Sequence, residues 1–270
     1  MARAFAARLE HAAPSRLRES VGSAVETLHG LVAGLGLTPA ELRASVAFLT
    51  DVGHHADDRR QEWVLLADVL GVSSLVEDLS APRPAGATPN TVAGPFYRAD
   101  APDLPAGATI SRDGKGEPLA VSGRVAALGG GPLAGAVVEV WQANGEGRYE
   151  NQEPDRQPEN NLRGRFRTDT QGRFAFRSVM PAGYALPADG PVGRLMAALG
   201  LALQRPAHLH FRVTANGHER LTTHVFDRDD PAIDGDAIFG VKPELKVEFR
   251  CTTAGRTVDV DFVLCPLRQG

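Results

Sequence analysis

A mostly β protein with a helical N-terminal part is what this sequence predicts, on three observations. Residues 1 to about 80 carry apolar side chains at helical spacings, punctuated by helix caps. The stretch from Ser80 to Pro95 is rich in proline and glycine and cannot continue a helix. Beyond it come short strand-like runs separated by Gly, Asp, Asn and Pro, the pattern of an all-β sandwich or barrel. The expected division is a helical domain over 1–90 and a β domain over 91–270.

In order, Met1 to Arg18 is rich in Arg and Ala without an uninterrupted apolar stretch. It reads as an exposed or amphipathic helix rather than a secretory signal, with organelle targeting as the alternative. Leu17, Val21, Val25, Leu28 and Val32 then form one apolar stripe, left through Gly34 and Gly36. Thr38-Pro39-Ala40-Glu41 is a helix start, with Thr38 as N-cap, Pro39 at the first helical position and Glu41 closing a capping box. Leu42, Val46 and Leu49 follow, with Gly53 as terminator. A third helix is expected over Asp57–Leu70, with Trp63, Leu66, Ala67 and Leu70 inward and Gly71 ending it. Such short striped helices need partners, so a bundle shared across a dimer is expected. Strands are expected over Leu119–Val125, Ala136–Trp141, Arg173–Phe176, Ala207–Val213, Leu221–Phe226, Val247–Phe249 and Val258–Leu264. One helical insertion, through Val192, Leu195, Met196 and Leu199, precedes the fourth of these.

Composition narrows the function classes. A net charge of −4 leaves no electrostatic footprint for nucleic acid or an anionic membrane. No apolar run approaches the ~18 residues of a membrane span. Cys251 and Cys265 imply no disulfide framework, which suits a reducing cytoplasm.

The chemistry concentrates in Arg205-Pro206-Ala207-His208-Leu209-His210-Phe211. Histidines at i and i+2 of a strand point to one face, where both imidazoles can meet one metal ion. By itself such a pair also suits two incidental strand histidines, or a zinc or ferrous site of cupin type. Tyr149 and Tyr184 stand in loops bounded by Gly and Pro, and no third histidine has ligand spacing. A phenol ionises near pH ~10, so only a strongly Lewis-acidic ion holds it as phenolate at neutral pH. Ferric iron fits two phenolates and two imidazoles.

These motifs resemble those of the intradiol ring-cleavage dioxygenases, the catechol and hydroxyquinol 1,2-dioxygenase group. The resemblance runs through Leu28-His29-Gly30-Leu31, Leu37-Thr38-Pro39-Ala40-Glu41, Leu65–Ser73, Gly94-Pro95-Phe96-Tyr97, Val140-Trp141-Gln142-Ala143, Asn161-Leu162-Arg163-Gly164 and the His-x-His segment. It implies Tyr149, Tyr184, His208 and His210 as ligands of one non-haem Fe(III) per subunit. Arg205 would be the active-site arginine, with Tyr184 and His224 also catalytic. The implied substrate pocket comprises Leu75, Asp78, Val92, Ala93, Gly94, Pro95, Phe96, Leu186, Pro187, Arg205 and Ile238. The resemblance further implies a catalytic β-sandwich, a helical linker domain that forms a homodimer, and a phospholipid held at the dimer interface. Arg163 and Arg167 read as surface or salt-bridging groups, and Tyr97 as packing.

Subtype is read from two places. His224 follows His210 by fourteen residues, within Thr-His-Val-Phe-Asp-Arg-Asp-Asp, a stretch similar to hydroxyquinol-type members; catechol-preferring members carry glutamine there. Asp78 would supply an acceptor for the third hydroxyl of hydroxyquinol. Ala93 replaces a bulkier residue, which keeps catechol and chlorocatechols as alternative substrates. A non-catalytic β-sandwich binding module is the reading from another class.

Overall fold

The computed structural model describes residues 1–10, 15–57 and 60–267. Among them are six α-helices and eleven strands, and the chain separates into compact units Met1–Asp57 and Asp58–Gly270.

The first unit is helical: α1 (Ala2–Leu9), α2 (Arg16–Leu35) and α3 (Pro39–His54). Residues 11–14, within the expected N-terminal helix, lie outside the described residues. Helix α2 ends where Gly36 takes a left-handed φ of 62°, which lets its amide and that of Leu37 turn back onto the last carbonyls. The expected capping box is present. Thr38 Oγ1 accepts from the Glu41 amide at 3.3 Å, and the Thr38 amide donates to Glu41 Oε2 at 2.8 Å. Helix α3 runs one residue past Gly53, to His54. The apolar stripes of α2 and α3, including Leu28, Val32, Leu42, Val46 and Leu49, are exposed in the single chain.

The second unit begins with α4 (Glu62–Val69) and α5 (Val72–Ser80). The helix expected over Asp57–Leu70 is thus shorter, and its residues 58 and 59 lie outside the described residues. Its buried face is Glu62, Leu66 and Val69, while Trp63 and Leu70 are exposed. The reason is polar: Arg60 reaches both Glu62 Oε2 and Asp189 Oδ2 at 2.8 Å, and Glu62 Oε1 accepts the Val192 amide. Gly71, at φ 71°, ends α4 and at once caps α5, a helix the sequence reading did not anticipate.

The strands are β1 (Pro118–Ala127), β2 (Val137–Gln142), β3 (Arg163–Arg167), β4 (Arg173–Val179), β5 (Tyr184–Ala185), β6 (Gln204–Arg205), β7 (His208–Thr214), β8 (Leu221–Asp227), β9 (Lys246–Val247), β10 (Arg250–Thr252) and β11 (Gly255–Leu264). They form a sheet of order β10-β11-β1-β4, a sheet of order β3-β2-β7-β8-β9, and the small β5-β6 hairpin. Helix α6 (Pro191–Ala198) lies between β5 and β6, where the helical insertion is expected. The two large sheets share a core of Val121 and Val125, Val138 and Val140, Phe174 and Phe176, Leu209, Phe211 and Val213, Val225, and Val258, Val260 and Phe262. Alternation selects these residues, since every second side chain of each strand faces the opposing sheet. Gly123 is required in β1, because a Cβ there would lie 1.8 Å from the Val260 carbonyl oxygen.

That alternation has a second consequence. With Leu209, Phe211 and Val213 inward, His208 and His210 must face away from the core on the opposite side of the five-stranded sheet. The register then aligns Trp141, His210 and His224 as direct neighbours across β2, β7 and β8, with His208 opposite Phe226.

Candidate metal centre and active site

Trp141 packs flat on His210, with ring centroids 4.7 Å apart, and His224 lies 4.1 Å away on the other side. His210 is thereby held between two rings. His208 is set by its backbone: its Nδ1–H donates to the Pro206 carbonyl at 2.7 Å, leaving the Nε2 lone pair free. That atom lies 3.2 Å from His210 Nε2.

Loops bring the remaining groups over this face. Asn144 Oδ1 accepts the amides of Glu146 and Arg148, shaping the turn that delivers Tyr149, whose hydroxyl lies 3.1 Å from His210 Nε2. The β5-β6 pairing places Tyr184 directly opposite Arg205. Arg205 Nη1 lies 3.5 Å from the Tyr184 hydroxyl and 3.3 Å from His208 Nε2. Tyr149, His208, His210, His224 and Arg205 are all buried, and Tyr184 is half-buried.

Burial pushes the imidazoles of His208, His210 and His224 well below the usual histidine range, and the Arg205 charge adds to the effect. Both causes favour the uncharged form of each ring. Burial likewise holds the Tyr149 hydroxyl well above its ordinary value, reinforced by Tyr184 and opposed by Arg205. Burial works against the Arg205 charge, but Tyr184 and Asp236 more than offset it.

The donor set suits one metal ion. Two atoms each about 2.1 Å from a common ion stand roughly 3.0–3.4 Å apart, and the imidazole–imidazole and imidazole–phenol separations are 3.2 and 3.1 Å. The imidazoles of His208, His210 and His224 offer nitrogens all within 4.8 Å of one another. His224 is committed elsewhere through Nδ1, which contacts Thr91 Oγ1, while its Nε2 is buried without a partner among the described residues.

Of the expected pocket residues, Phe96 stacks on Tyr149 at 4.2 Å, and a side chain at Gly94 would meet His210 Cε1 at 3.5 Å. Ala93 packs with Phe96 against Trp141 and Tyr149. Val92 and Leu186 are half-buried, and Pro95 and Pro187 exposed. Ile238 is buried, and its carbonyl accepts from Ser74 Oγ of α5 at 2.8 Å. Leu75 and Asp78 are exposed on the same helix, and the Asp78 carboxylate pairs with Lys242.

Three supporting contacts were not anticipated. Asp236 holds Arg205 through Oδ1 at 3.1 Å and Oδ2 at 3.4 Å. Thr91 engages His224. Arg163, expected at the surface or in a salt bridge, is a buried salt-bridging group: it binds Glu150 at 2.7 and 2.8 Å and donates to the Phe96 carbonyl at 2.6 Å. Adjacency of Glu150 to Tyr149 was the one available signal for that last contact.

Comparison with known proteins agrees with this geometry. Residues 15–88 match the family described as catechol dioxygenase N terminus, and residues 92–266 match the dioxygenase family. A hydroxyquinol 1,2-dioxygenase from a Rhizobium species is 46% identical over 95% of this chain and 87% of its own length. A 6-chlorohydroxyquinol 1,2-dioxygenase from Cupriavidus pinatubonensis is 42% identical, covering 98% and 96%. The crystal structure of hydroxyquinol 1,2-dioxygenase from Pseudomonas putida superposes with a TM-score of 0.94 at 38% identity, covering 98% of this chain and 97% of that one. With its buried imidazole–phenol cluster on the outer face of a β-sandwich, the chain belongs to the intradiol ring-cleavage dioxygenase family.

Proposed function

We propose that this enzyme cleaves hydroxyquinol, 1,2,4-trihydroxybenzene, between adjacent hydroxylated carbons with dioxygen, giving a cis,cis-muconate or maleylacetate-type product. The observation that carries the reading is the approach of His208 Nε2 and the Tyr149 hydroxyl to His210 Nε2, at 3.2 and 3.1 Å, among buried side chains beside Arg205. Tyr149, Tyr184, His208 and His210 would hold one Fe(III). When bound, that ion supplies the Lewis acidity that keeps phenols ionised and activates a chelated diol toward dioxygen.

The protein's own contribution follows from burial and charge. Tyr149 and His210 are enclosed by Phe96 and Trp141, which exclude water and fix their directions. Tyr184, the less buried of the two tyrosines, would as a metal-held phenolate accept a substrate proton, the role that the family resemblance implies for it. Arg205, locked by Asp236, keeps a positive charge where ring and carboxylate oxygens become negative. His224 faces the same space and supplies hydrogen bonding to bound oxygen atoms.

Hydroxyquinol is preferred over catechol because His224 lies in the hydroxyquinol-type segment and similar relatives bear that activity in their names. We place the functional boundary near residue 90. The exposed apolar stripes of α2 and α3 support a homodimer through the N-terminal helices, and a phospholipid at that interface is the ligand the resemblance implies. No helix among the described residues is long and apolar enough to cross a membrane. Oxygen uptake by the iron-loaded protein with hydroxyquinol, catechol and chlorocatechols tests the reading. Faster turnover of catechol than of hydroxyquinol overturns the subtype; uptake with none overturns the activity.

A further inference from the structure

Thr91 and His224 share one hydrogen bond, and counting protons across it leaves one satisfactory arrangement. A threonine hydroxyl has a single hydrogen to donate. Thr91 is buried, and among the described residues His224 Nδ1 is the acceptor its Oγ1 meets. If the hydroxyl donates, the imidazole carries its hydrogen on Nε2. If the ring donated instead, the threonine hydrogen would be stranded and His224 Nε2 would face the site as a bare lone pair. Two buried groups would then lack protein partners, against one, the Nε2–H, in the first arrangement, and folded proteins keep such groups few.

We propose that Thr91 is a positioning residue that holds His224 as its Nε2–H tautomer, aiming a neutral hydrogen-bond donor at oxygen atoms bound in the ring-cleavage site. The proposal rests on the dioxygenase reading above. His224 is placed for that task, with its ring 4.1 Å from His210 and 5.1 Å from His208, and with Nε2 buried and unpartnered. A bare lone pair in that position would repel a deprotonated diol oxygen or dioxygen; an N–H attracts them.

Thr91 is itself anchored on both sides. Its amide donates to the Thr222 carbonyl at 2.9 Å. The preceding Asn90 accepts Arg83 Nη2 at its side chain at 3.0 Å and Lys242 Nζ at its carbonyl at 2.8 Å. Lys242 also pairs with Asp78, so the carboxylate that marks the hydroxyquinol subtype is linked through Asn90 to the backbone carrying Thr91.

The test compares Thr91→Val, which removes the hydroxyl at constant shape, with Thr91→Ser, which keeps it. Nitrogen-15 NMR of histidine-labelled protein, loaded with diamagnetic gallium(III), reads the tautomer of His224 directly. Steady-state oxygen uptake by the iron-loaded protein reads its consequence. The wild type is expected to show His224 protonated at Nε2. Thr91→Val should move the proton to Nδ1 in part or whole and lower kcat/KM about tenfold, mainly through kcat. Thr91→Ser should stay within about twofold of wild type. In a His224→Gln background, where an amide donates without help, Thr91→Val should change kcat/KM by less than about twofold. A wild-type His224 protonated at Nδ1, or a Thr91→Val enzyme with unchanged tautomer and rate, overturns the proposal. An Nε2–H signal in protein that consumes no oxygen with any diol would sink the dioxygenase reading while upholding the tautomer.

Discussion

Replacing Glu150 by glutamine removes the countercharge of a guanidinium that has no water to turn to. Arg163 and Glu150 are 1% and 3% exposed and meet through two hydrogen bonds of 2.7 and 2.8 Å. Breaking a buried pair from one side strands the other charge, at a cost of about 3–5 kcal/mol. Arg98 also loses its 3.2 Å contact with Glu150, but it is part-exposed and keeps Asp100, so that loss adds less than about 1 kcal/mol. The expected destabilisation is about 4 kcal/mol, a fall of roughly 8–16 °C in the melting midpoint. Thermal and guanidinium unfolding followed by circular dichroism measure it. The double variant Arg163→Met/Glu150→Leu should recover part of the loss. It strands no charge, and leaves only the Phe96 carbonyl without its 2.6 Å donor, worth about 1–3 kcal/mol. Glu150→Gln should also slow oxygen uptake, since Arg163 holds Phe96 where its ring stacks on Tyr149. A Glu150→Gln protein within about 1 kcal/mol of wild type, or a double variant less stable than the single one, would refute this reasoning.

Three further outcomes are expected. In iron-loaded protein, Tyr149→Phe and Tyr184→Phe each weaken and shift the visible tyrosinate-to-iron absorption, and the double variant abolishes it, as absorption spectra will record; colourless wild-type protein after iron loading defeats the ligand assignment. Asp236→Asn loosens Arg205, whose two hydrogen bonds to that carboxylate are 3.1 and 3.4 Å, and should lower kcat/KM by roughly 10–100-fold in oxygen-uptake assays. Hydrogen bonds from the Thr38 side chain and backbone hold the Glu41 carboxyl below its ordinary 4.5. A depressed folded-state value stabilises α3 above pH 4.5, and that contribution is lost as pH falls through the lowered value. The gap between the melting midpoints of wild type and Glu41→Gln should therefore hold above pH 4.5 and close as pH falls below it.

The local features were legible in the sequence because their causes are local. The capping box at Thr38 and Glu41 is a four-residue device, and it appears as read. The two histidines share a face because a strand repeats every two residues. Helix α4 was misjudged because its buried face follows the grip of Glu62 on the Val192 amide, 130 residues away. Strand β3 escaped notice because three of its five residues are arginine, and one of them is buried only by grace of Glu150.

Sequence by itself determined the fold class, the helical and β character, and the shared face of His208 and His210, while Tyr149 and Tyr184 joined them only through the family resemblance. Periodicity and residue chemistry are properties of short segments, so one strand of text suffices for them. Tertiary structure alone decided which partners complete the site. Asp236 reaches Arg205 across 31 residues, and Thr91 reaches His224 across 133. Such pairs arise from strand register and loop closure, where no local pattern records which distant polar group will satisfy a buried one.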